Sequence, residues 1–433
     1  MLQILLIAAR NLVQHARRTL LLGFVIAAVT AFLVLLVGLF DGIEKSTIES
    51  ATTLMSGHLN VGGFFKASAG QSAPVLTHAH KLLEDVRKDV PEIDYVTERV
   101  RGWAKLVTET GSLQAGVAGI DIQNEPGLKR ILKIDQGSFD GLNEPHTVLM
   151  FQNQAEKLGV KLGDVVTISA QTTRGVNNTA DVRVVAIAND VGILSAFNTF
   201  VPAQTLRELY QEQDDTTGAL LVYLKNIDDA GPVSERLRKT LAAQGYTLMD
   251  PDPRAFFFKF DSVNREAWTG QKLDITSWKD ELSFILWLST AMHALGYLLV
   301  SVLIVVIAVG LMNTLWVAIR ERTREIGTLR SIGMQRPRVM AMFVTEAFLL
   351  SFGATVGGAL FGLLVALFIN GRHVRIPFSM QAITMSDHLT LLPSATSVST
   401  SVAIIVACTT AVSLIPSFLA ARLKPVSAMS QVD

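Results

Sequence analysis

Four long apolar runs constrain this chain more than any other feature of its sequence. They cover residues 20–40, 284–319, 339–369 and 397–420. A helix needs about 20 predominantly apolar residues to cross a bilayer, and each run reaches that length. We predict four spanning helices, arranged as one, a long gap and then three. Only 18% of all residues are charged, against about 25% in a typical soluble domain, which agrees with this prediction.

The second run is longer than a bilayer requires. Residues 284–319 contain one ionisable side chain, His293. At about 1.5 Å per residue this helix would be roughly 54 Å long, whereas the hydrocarbon core is about 30 Å thick. We therefore predict that it spans the membrane and also projects from it as a stalk.

Positive charge sets the orientation of these helices. Arginine and lysine concentrate in residues 1–19, in the loop 320–338 and in the tail 421–433. Loops rich in these residues stay in the cytoplasm, so both termini are predicted to be cytoplasmic. Residues 41–283, in which acidic residues outnumber basic ones, and the short loop 370–396 then lie on the opposite side.

The first 19 residues have an amphipathic pattern. Apolar residues recur at helical spacing, with Arg10, Arg17 and Arg18 among them; they are Leu2, Leu5, Leu6, Ala9, Leu12 and Val13. This pattern predicts a helix lying in the cytoplasmic membrane interface. The alternative is a simple extension of the first spanning helix.

Residues 41–283 are predicted to form a large α+β domain. Its predicted helices are 77–89, 152–158, 203–210 and 233–244. Its predicted strands are 57–61, 93–107, 113–120, 165–169, 181–188, 220–224 and 247–249. The alternation of strands and helices in its second half suggests a separate subdomain.

The sequence contains little that indicates catalysis. It has no G-x-x-x-x-G-K-[ST] phosphate loop, no G-x-S-x-G elbow and no H-E-x-x-H pair. His78 and His80 lack supporting ligands at a metal-binding spacing, and Cys408 is the single cysteine. The zero net charge argues against a nucleic-acid partner. We predict no catalytic residues, no metal and no ATP-hydrolysing site in this chain.

The loop after the second apolar run carries the most specific motif. It begins with Met312 and Asn313 and continues as Glu321-Arg322-Thr323-Arg324-Glu325-Ile326-Gly327-Thr328-Leu329-Arg330-Ser331-Ile332-Gly333. A short helix here would place Ile326, Leu329 and Ile332 or Gly333 on one face, with a basic rim. Such a surface suits docking into a groove of a partner. The alternative is that the arginines only fix topology and bind anionic lipid.

This motif, with Pro416 and the run Ala420-Ala421-Arg422-Leu423-Lys424-Pro425-Val426, resembles the FtsX-like permease domain of MacB/Lol-type ABC transporters. The arrangement of one helix, a large periplasmic domain and three helices is similar to that family, as is the stretch from Val148 to Val166. The resemblance implies a multi-pass protein of the bacterial inner membrane whose loop helix couples to an ATPase. The coupling residues are then Arg322, Glu325, Ile326, Gly327, Leu329, Arg330 and Gly333.

The resemblance also implies the partners. These are a cytoplasmic ABC ATPase dimer that binds ATP and Mg²⁺, a second permease that is a copy or a paralogue, a periplasmic cargo or carrier protein, and membrane lipids. The chain shows no fused ATPase, and the four-helix size resembles the Lol lipoprotein-release permeases. Lipoprotein release is therefore the expected function. The alternatives are MacB-like drug or peptide efflux, an FtsX-like scaffold that activates a periplasmic enzyme, and a membrane-anchored periplasmic enzyme.

The third apolar run contains two features that predict contacts with other parts of the protein: a set of glycines and one acidic residue. Gly353 with Gly357, and Gly358 with Gly362, form two G-x-x-x-G pairs. Such pairs let helix backbones approach closely in lipid, and we expect contact with the second or fourth helix or with a second permease. Glu346 is the one acid inside the apolar runs, and we expect it to pair with Arg322 or Arg338 of the loop.

Overall fold

The computed structural model describes residues 2–14, 16–68, 71–172, 175–376, 381, 384, 386 and 388–422. Two compact units are present. The helical unit comprises Met1–Glu44, Ser289–Arg375 and His388–Asp433, and the α+β unit comprises Lys45–Leu288 with Ile376–Asp387. Most of the C-terminal motif, from Leu423 to Val426, and residues 377–380, 382, 383, 385 and 387 of the predicted loop 370–396 lie outside the described residues.

The helices and strands are as follows. The helices are α1 (Leu2–Gln14), α2 (Ala16–Ala51), α3 (Ala79–Asp89), α4 (Pro126–Ile131), α5 (Gln152–Leu158), α6 (Ala203–Tyr210), α7 (Ala230–Ala243), α8 (Phe260–Arg265), α9 (Trp278–Glu281), α10 (Ser283–Glu321), α11 (Thr323–Ser331), α12 (Arg336–Arg372) and α13 (Ala395–Ala421). The strands are β1 (Leu59–Ser68), β2 (Gln71–Ala73), β3 (Leu76–Thr77), β4 (Ile93–Val107), β5 (Ser112–Ile120), β6 (Ile134–Gly137), β7 (Thr147–Phe151), β8 (Val165–Gln171), β9 (Asn177–Ala188), β10 (Asn198–Pro202), β11 (Thr216–Thr217), β12 (Ala219–Leu224) and β13 (Gly270–Ser277).

Four helices of the described chain are long and apolar enough to cross a membrane: α2, α10, α12 and α13. The predicted fold class, with one such helix before an α+β domain and three after it, is confirmed. In the helical unit, buried aliphatic side chains of α2, α10 and α13 pack together, among them Ile26, Leu33, Leu311 and Ile405. With 39 residues, α10 is about 58 Å long, which exceeds the hydrocarbon thickness.

The N-terminal helix α1 has two kinds of surface. Leu6 and Val13 are exposed, whereas Ala8 and Asn11 are buried within the helical unit. Exposed apolar side chains on a helix with basic residues suit the surface of a membrane. Because α1 and α2 flank His15, which is outside the described residues, the interfacial helix remains a prediction.

A mixed sheet organises the α+β unit. Its main path runs in the order β13-β1-β12-β4-β5-β10-β7-β9-β6, with β2 paired to β1 and β8 paired to both β4 and β9. β3 and β11 form a separate small ladder. The core side chains lie in two large buried clusters, one of which includes Leu59 and Leu220, the other Val148 and Val166.

The long strand β4 is shared by both parts of this sheet. Its first half pairs with β12, from Ile93 to Arg99. Its second half pairs with β5, from Val100 to Val107. The predicted second subdomain is therefore joined to the first by a continuous strand rather than by a linker.

Two neighbouring strands at one end of the sheet, β1 and β13, are connected along the chain to the membrane helices α2 and α10. The chain passes from α2 through a π-helical turn, Thr52–Ser56, into β1. It leaves β13 through α9 and enters α10. β1 and β13 pair antiparallel from Leu59 with Ser277 to Lys66 with Gly270, so the segments that connect to α2 and α10 are hydrogen-bonded neighbours.

Candidate cytoplasmic coupling site

The arginine-rich loop folds into a short helix between two long ones. α10 ends at Glu321, α11 occupies Thr323–Ser331, and α12 begins at Arg336. Glu325 lies in the first turn of α11 and Arg330 in its last, where each charge is favourable to the helix dipole. Gly333 adopts φ +102, a conformation that glycine tolerates best, and it lets the chain reverse towards α12.

The apolar contacts of α11 fasten it to its own chain. Ile326 is buried in a cluster that also contains Ile319 of α10, three residues of α12 and the last two residues of α13; these are Val339, Met342, Phe343, Ala420 and Ala421. Gly327 is buried as well. Ile326, one residue of the apolar face predicted to bind a partner, is therefore already covered within the chain.

Arg322 connects α11 to α12 through two carboxylates. Its Nε donates to Oε2 of Glu325 over 3.0 Å, and its Nη1 donates to Oε2 of Glu346 over 3.4 Å. Glu346 is only 5% exposed. The predicted pairing of Glu346 with an arginine of the loop is confirmed, and the partner is Arg322 rather than Arg338.

A second polar contact reaches the end of α13. Nη1 of Arg330 donates a hydrogen bond to the carbonyl oxygen of Ala421 over 3.2 Å. The last carbonyls of a helix have no intrahelical donors, so this guanidinium caps α13. Arg322 and Arg330 together tie α11 to the cytoplasmic ends of α12 and α13.

The seven candidate coupling residues therefore separate by exposure. Arg322, Ile326 and Gly327 are buried, Leu329 and Arg330 are half-buried, and Glu325 and Gly333 are exposed. Arg324, Thr328 and Ile332 are exposed as well. We call the five exposed residues the docking face: Arg324, Glu325, Thr328, Ile332 and Gly333. Ile332 is 79% exposed, and the motif did not distinguish its role from that of the buried Ile326.

We expect Glu346→Gln to lower the free energy of unfolding of the detergent-solubilised chain by about 1.5–3 kcal/mol, because the buried guanidinium of Arg322 then faces a neutral amide instead of a carboxylate. Thermal denaturation followed by size-exclusion chromatography measures this change. Glu321→Gln, at an exposed position of the same loop, is the control and should change stability by less than about 0.5 kcal/mol. Equal stabilities would contradict the importance of the buried pair.

The two glycine pairs of α12 have different surroundings. A methyl group on Gly358 would overlap the carbonyl of Ala27 in α2, and one on Gly362 would lie 3.0 Å from the Ala31 carbonyl oxygen. The helix that packs against this pair is thus α2, which was not among the expected partners, namely α10, α13 or a second permease. Nothing lies within 4 Å of the corresponding positions at Gly353 and Gly357.

This difference predicts opposite results for neighbouring substitutions. Gly358→Ala should lower the thermal stability of the chain by about 1–3 kcal/mol, because the backbones of α2 and α12 must separate. Gly357→Ala meets open space and should leave stability unchanged or raise it by up to about 1 kcal/mol through helix propensity. Denaturation of both variants in the same detergent compares them, and equal losses would contradict the packing assignment.

Polar groups are sparse along the apolar runs. In the described part of the four runs, the charged or imidazole side chains are His293, close to Glu44 at 3.4 Å, and Glu346. Two buried hydroxyls bond to their own helices, since Thr30 donates to the Ile26 carbonyl and Thr409 to that of Ile405. The buried hydroxyl of Thr355 has no partner among the described residues. A path for a polar solute needs polar groups at mid-membrane, and the described parts of these runs contain few of them.

The histidines considered as metal ligands lie at the start of α3. Nδ1 of His80 is 2.5 Å from a carboxylate oxygen of Asp215, and Nδ1 of His78 is 3.7 Å from the other oxygen. All three side chains are largely exposed. Among the described residues, no group of three or more histidine, cysteine, aspartate or glutamate side chains could hold a metal ion.

Two family models match the chain. The MacB-like periplasmic core domain matches residues 19–240, and the FtsX-like permease C-terminal domain matches residues 297–425. The first match includes most of α2 and most of the α+β unit. The second includes the docking face and α12.

Curated relatives match over shorter segments. A pyoverdine export ATP-binding/permease protein of Pseudomonas fluorescens is 39% identical over 79 residues, covering 17% of this chain and 11% of that protein. A macrolide export ATP-binding/permease protein of Nitrobacter winogradskyi is 33% identical over 124 residues, covering 28% and 17%. An uncharacterised ABC transporter permease of Methanocaldococcus jannaschii is 26% identical over 237 residues, covering 54% and 51%. The chain thus spans from about a tenth to about half of the length of these relatives.

Two solved structures are similar at low scores. The extracellular domain of the noncanonic ABC-type transporter YknZ from Gram-positive bacteria has 15% identity and a TM-score of 0.30, covering 49% of this chain and 98% of that one. The periplasmic region of MacB from Actinobacillus actinomycetemcomitans has 16% identity and a TM-score of 0.29, covering 43% and 84%.

Proposed function

The chain belongs to the family of ABC transporter permeases that have a MacB-like periplasmic core domain and an FtsX-like permease domain, and on this premise we propose how it works. It is a multi-pass membrane protein with an extracytoplasmic domain, and a permease of this type implies a partner ATPase. We propose that ATP and Mg²⁺ bind to that partner, and that this chain converts the closure of the ATPase into movement of its extracytoplasmic domain.

The observation that carries the proposal is that one side of α11 is buried against its own chain while the other side, the docking face, is exposed. Ile326 and Arg322 attach α11 to α10 and α12, whereas Glu325, Ile332 and Gly333 remain exposed. A helix bound to a partner on one face and rigidly held on the other transmits the partner's displacement instead of absorbing it. Flexible attachment would dissipate that displacement.

The long helices carry the displacement across the bilayer. α10 is about 58 Å long, and α2 leads directly through the turn Thr52–Ser56 into β1. Because β1 and β13 are paired, movements of α2 and α10 reach adjacent strands of one sheet. The second permease, a copy or a paralogue, would supply a matching sheet, and the displacement would open or close the space between them.

We further propose that the cargo is a lipoprotein extracted from the outer leaflet of the inner membrane. The polypeptide of such a cargo is already on the extracytoplasmic side, so it needs no polar path through the helices. The scarcity of polar groups in the described apolar runs supports this. A second candidate is MacB-like export of a drug or peptide, which the pyoverdine and macrolide export proteins among the relatives favour.

Depletion of the chain in its native host distinguishes these cargoes. If the function is lipoprotein release, membrane fractionation should show lipoproteins retained in the inner membrane. Normal lipoprotein sorting, combined with increased sensitivity to an exported compound, would replace the first candidate by the second. Purification of the chain should also recover an ATPase, and repeated failure to do so would contradict the proposed coupling.

A further inference from the structure

The turn Thr52–Ser56, where α2 ends, presents a set of backbone carbonyls to the α+β unit. The last carbonyls of a helix lack intrahelical donors, and their burial without partners would be costly. One of these carbonyls has a donor nearby in the chain, because the N–H of Gly57 donates to the Thr52 carbonyl over 2.7 Å. Four of the five residues of the turn are buried, and several of their carbonyls accept hydrogen bonds from side chains of the α+β unit.

Arg99 supplies two of these donors. Its Nη1 donates to the Leu54 carbonyl and its Nη2 to the Thr53 carbonyl, each over 2.8 Å. The same guanidinium forms a bidentate pair with Glu125, through distances of 2.7 and 2.8 Å. The side chains of Arg99 and Glu125 are 2% and 1% exposed. Although burial alone would lower the pKa of Arg99, the carboxylate of Glu125 raises it above its usual value.

Arg101 supplies a third donor on the same side of β4. Its Nη2 donates to the Met55 carbonyl over 3.0 Å, and its guanidinium lies over the ring of Phe256, 5.3 Å from the centroid. Burial lowers the pKa of Arg101 to about 10, so the side chain stays charged at neutral pH. Residues i and i+2 of a strand face the same way, which explains why Arg99 and Arg101 reach consecutive carbonyls.

Two further side chains complete the arrangement. The hydroxyl of Tyr223 on β12 donates to the Thr52 carbonyl over 3.3 Å. Glu281, the last residue of α9, accepts hydrogen bonds from Thr276 and from the Phe256 N–H. Burial raises the pKa of Glu281, and the charge of Arg101 opposes that rise. Arg101 is thus attracted to the segment that leads into α10 while it binds the end of α2.

We propose that Arg99, Arg101 and Tyr223 form a carbonyl clamp that fixes the end of α2 to strands β4 and β12, so that movement of the first membrane helix displaces the whole sheet. The three are positioning residues, and the proposal rests on the proposed function. Hydrogen bonds to four consecutive carbonyls, Thr52 to Met55, prevent the turn from swivelling against the sheet. Because β4 belongs to both parts of the sheet, a displacement applied there reaches both.

A role in stability alone would not require this geometry. Well-packed apolar side chains commonly stabilise a buried place as well as an ion pair does. The hydrogen bonds of the clamp instead have fixed directions towards the backbone of a single helix end. The test must therefore measure transmission separately from folding.

The experiment uses the chain in complex with its ATPase in nanodiscs that contain an acceptor-labelled lipid. A donor dye is attached at Glu109→Cys, an exposed position in the β4–β5 hairpin, in a Cys408→Ser background. Energy transfer to the lipid then reports the height of the sheet above the bilayer. The nucleotide-driven change in transfer is compared with the rate of ATP hydrolysis in the same sample.

Arg101→Gln and Tyr223→Phe should each reduce the nucleotide-driven change at least threefold, while ATP hydrolysis stays within about twofold of the unsubstituted complex, a difference that corresponds to less than about 0.5 kcal/mol. Tyr210→Phe is the matched control, because Tyr210 is also buried and its hydroxyl donates to the Trp103 carbonyl over 3.0 Å. It should leave the change in transfer intact. Tyr223→Phe removes one hydroxyl only, so it keeps the test valid if Arg101→Gln does not fold.

The outcomes separate the clamp from the function on which it rests. If the unsubstituted complex responds to nucleotide and the folded clamp variants respond equally, the clamp is refuted and the proposed function stands. If Tyr210→Phe reduces the response as much as Tyr223→Phe, the effect is a general loss of packing and the clamp is again refuted. If the unsubstituted complex shows no response, the proposed function fails and the clamp fails with it.

Discussion

Replacing Ile332 with aspartate is expected to weaken binding of the partner ATPase by about a hundredfold, which corresponds to about 2.8 kcal/mol. Ile332 is the most exposed large apolar residue of the described loop, at 79%, and it lies at the end of α11 beside Gly333. Truncation of an apolar anchor at an interface centre commonly costs 2 kcal/mol or more. A carboxylate in its place must also be desolvated on binding. Titration of the solubilised chain with the isolated ATPase measures the loss.

Two controls separate this effect from a general effect of charge. Ile332→Leu keeps the apolar surface and should bind within about threefold of the original chain, since volume-conserving substitutions are tolerated best. Val176→Asp introduces the same charge at an exposed apolar position of the α+β unit and should not affect binding. If Ile332→Asp bound the ATPase as tightly as the original chain, the proposal that the docking face binds the ATPase would be wrong.

Replacing Arg99 with methionine should lower the free energy of unfolding of the α+β unit by about 3–5 kcal/mol, because it leaves the carboxylate of Glu125 buried without its cation. It also removes the donors to the Leu54 and Thr53 carbonyls. Denaturation of the full chain, followed by tryptophan fluorescence, measures the loss, since Trp103, Trp268 and Trp278 all belong to this unit.

The double variant Arg99→Met with Glu125→Met separates the cost of an unpaired buried charge from the cost of the lost hydrogen bonds to the turn. It removes both charges and fills the space with apolar side chains, so it should recover much of the lost stability. The recovery would be incomplete because the carbonyls of the turn still lack their donors. If the single variant were as stable as the original chain, Arg99 and Glu125 would not form the buried pair described here.

The sequence predicts the membrane helices well because their signal is local. A long apolar run is detected without knowledge of its neighbours, and the four helices occur where the runs are. The helix 152–158 and the strand 93–107 were predicted with the bounds the structure gives. By contrast, β7 and β13 were not predicted. β7 has five buried residues in succession and therefore lacks the alternation that identifies a half-exposed strand. Residues 247–249, predicted as a strand, form only a single bridge from Leu248 to Leu273.

In the candidate site, the features that the sequence did not predict depend on contacts between residues that are distant in the sequence. The motif located the loop helix, but the distinction between Ile326 and Ile332 depends on contacts with α12 and with Ala420, far away in the sequence. Similarly, residues 93–107 are predicted only as a strand, and nothing in the sequence indicates that Arg99 is buried. Its partners are carbonyls of the turn Thr52–Ser56, which no side-chain pattern identifies. The partner of Gly358 was also mistaken, because both faces of α12 carry small residues.

The central claim is that α11 transmits the action of an ATPase to the extracytoplasmic domain. Its most direct test is the nucleotide-driven change in energy transfer from position 109 in the complex that carries both Glu325→Ala and Thr328→Ala, two substitutions on the exposed docking face. We predict that hydrolysis continues while this change falls by about tenfold. A doubly substituted complex that hydrolyses ATP and moves its extracytoplasmic domain as the original does would contradict it.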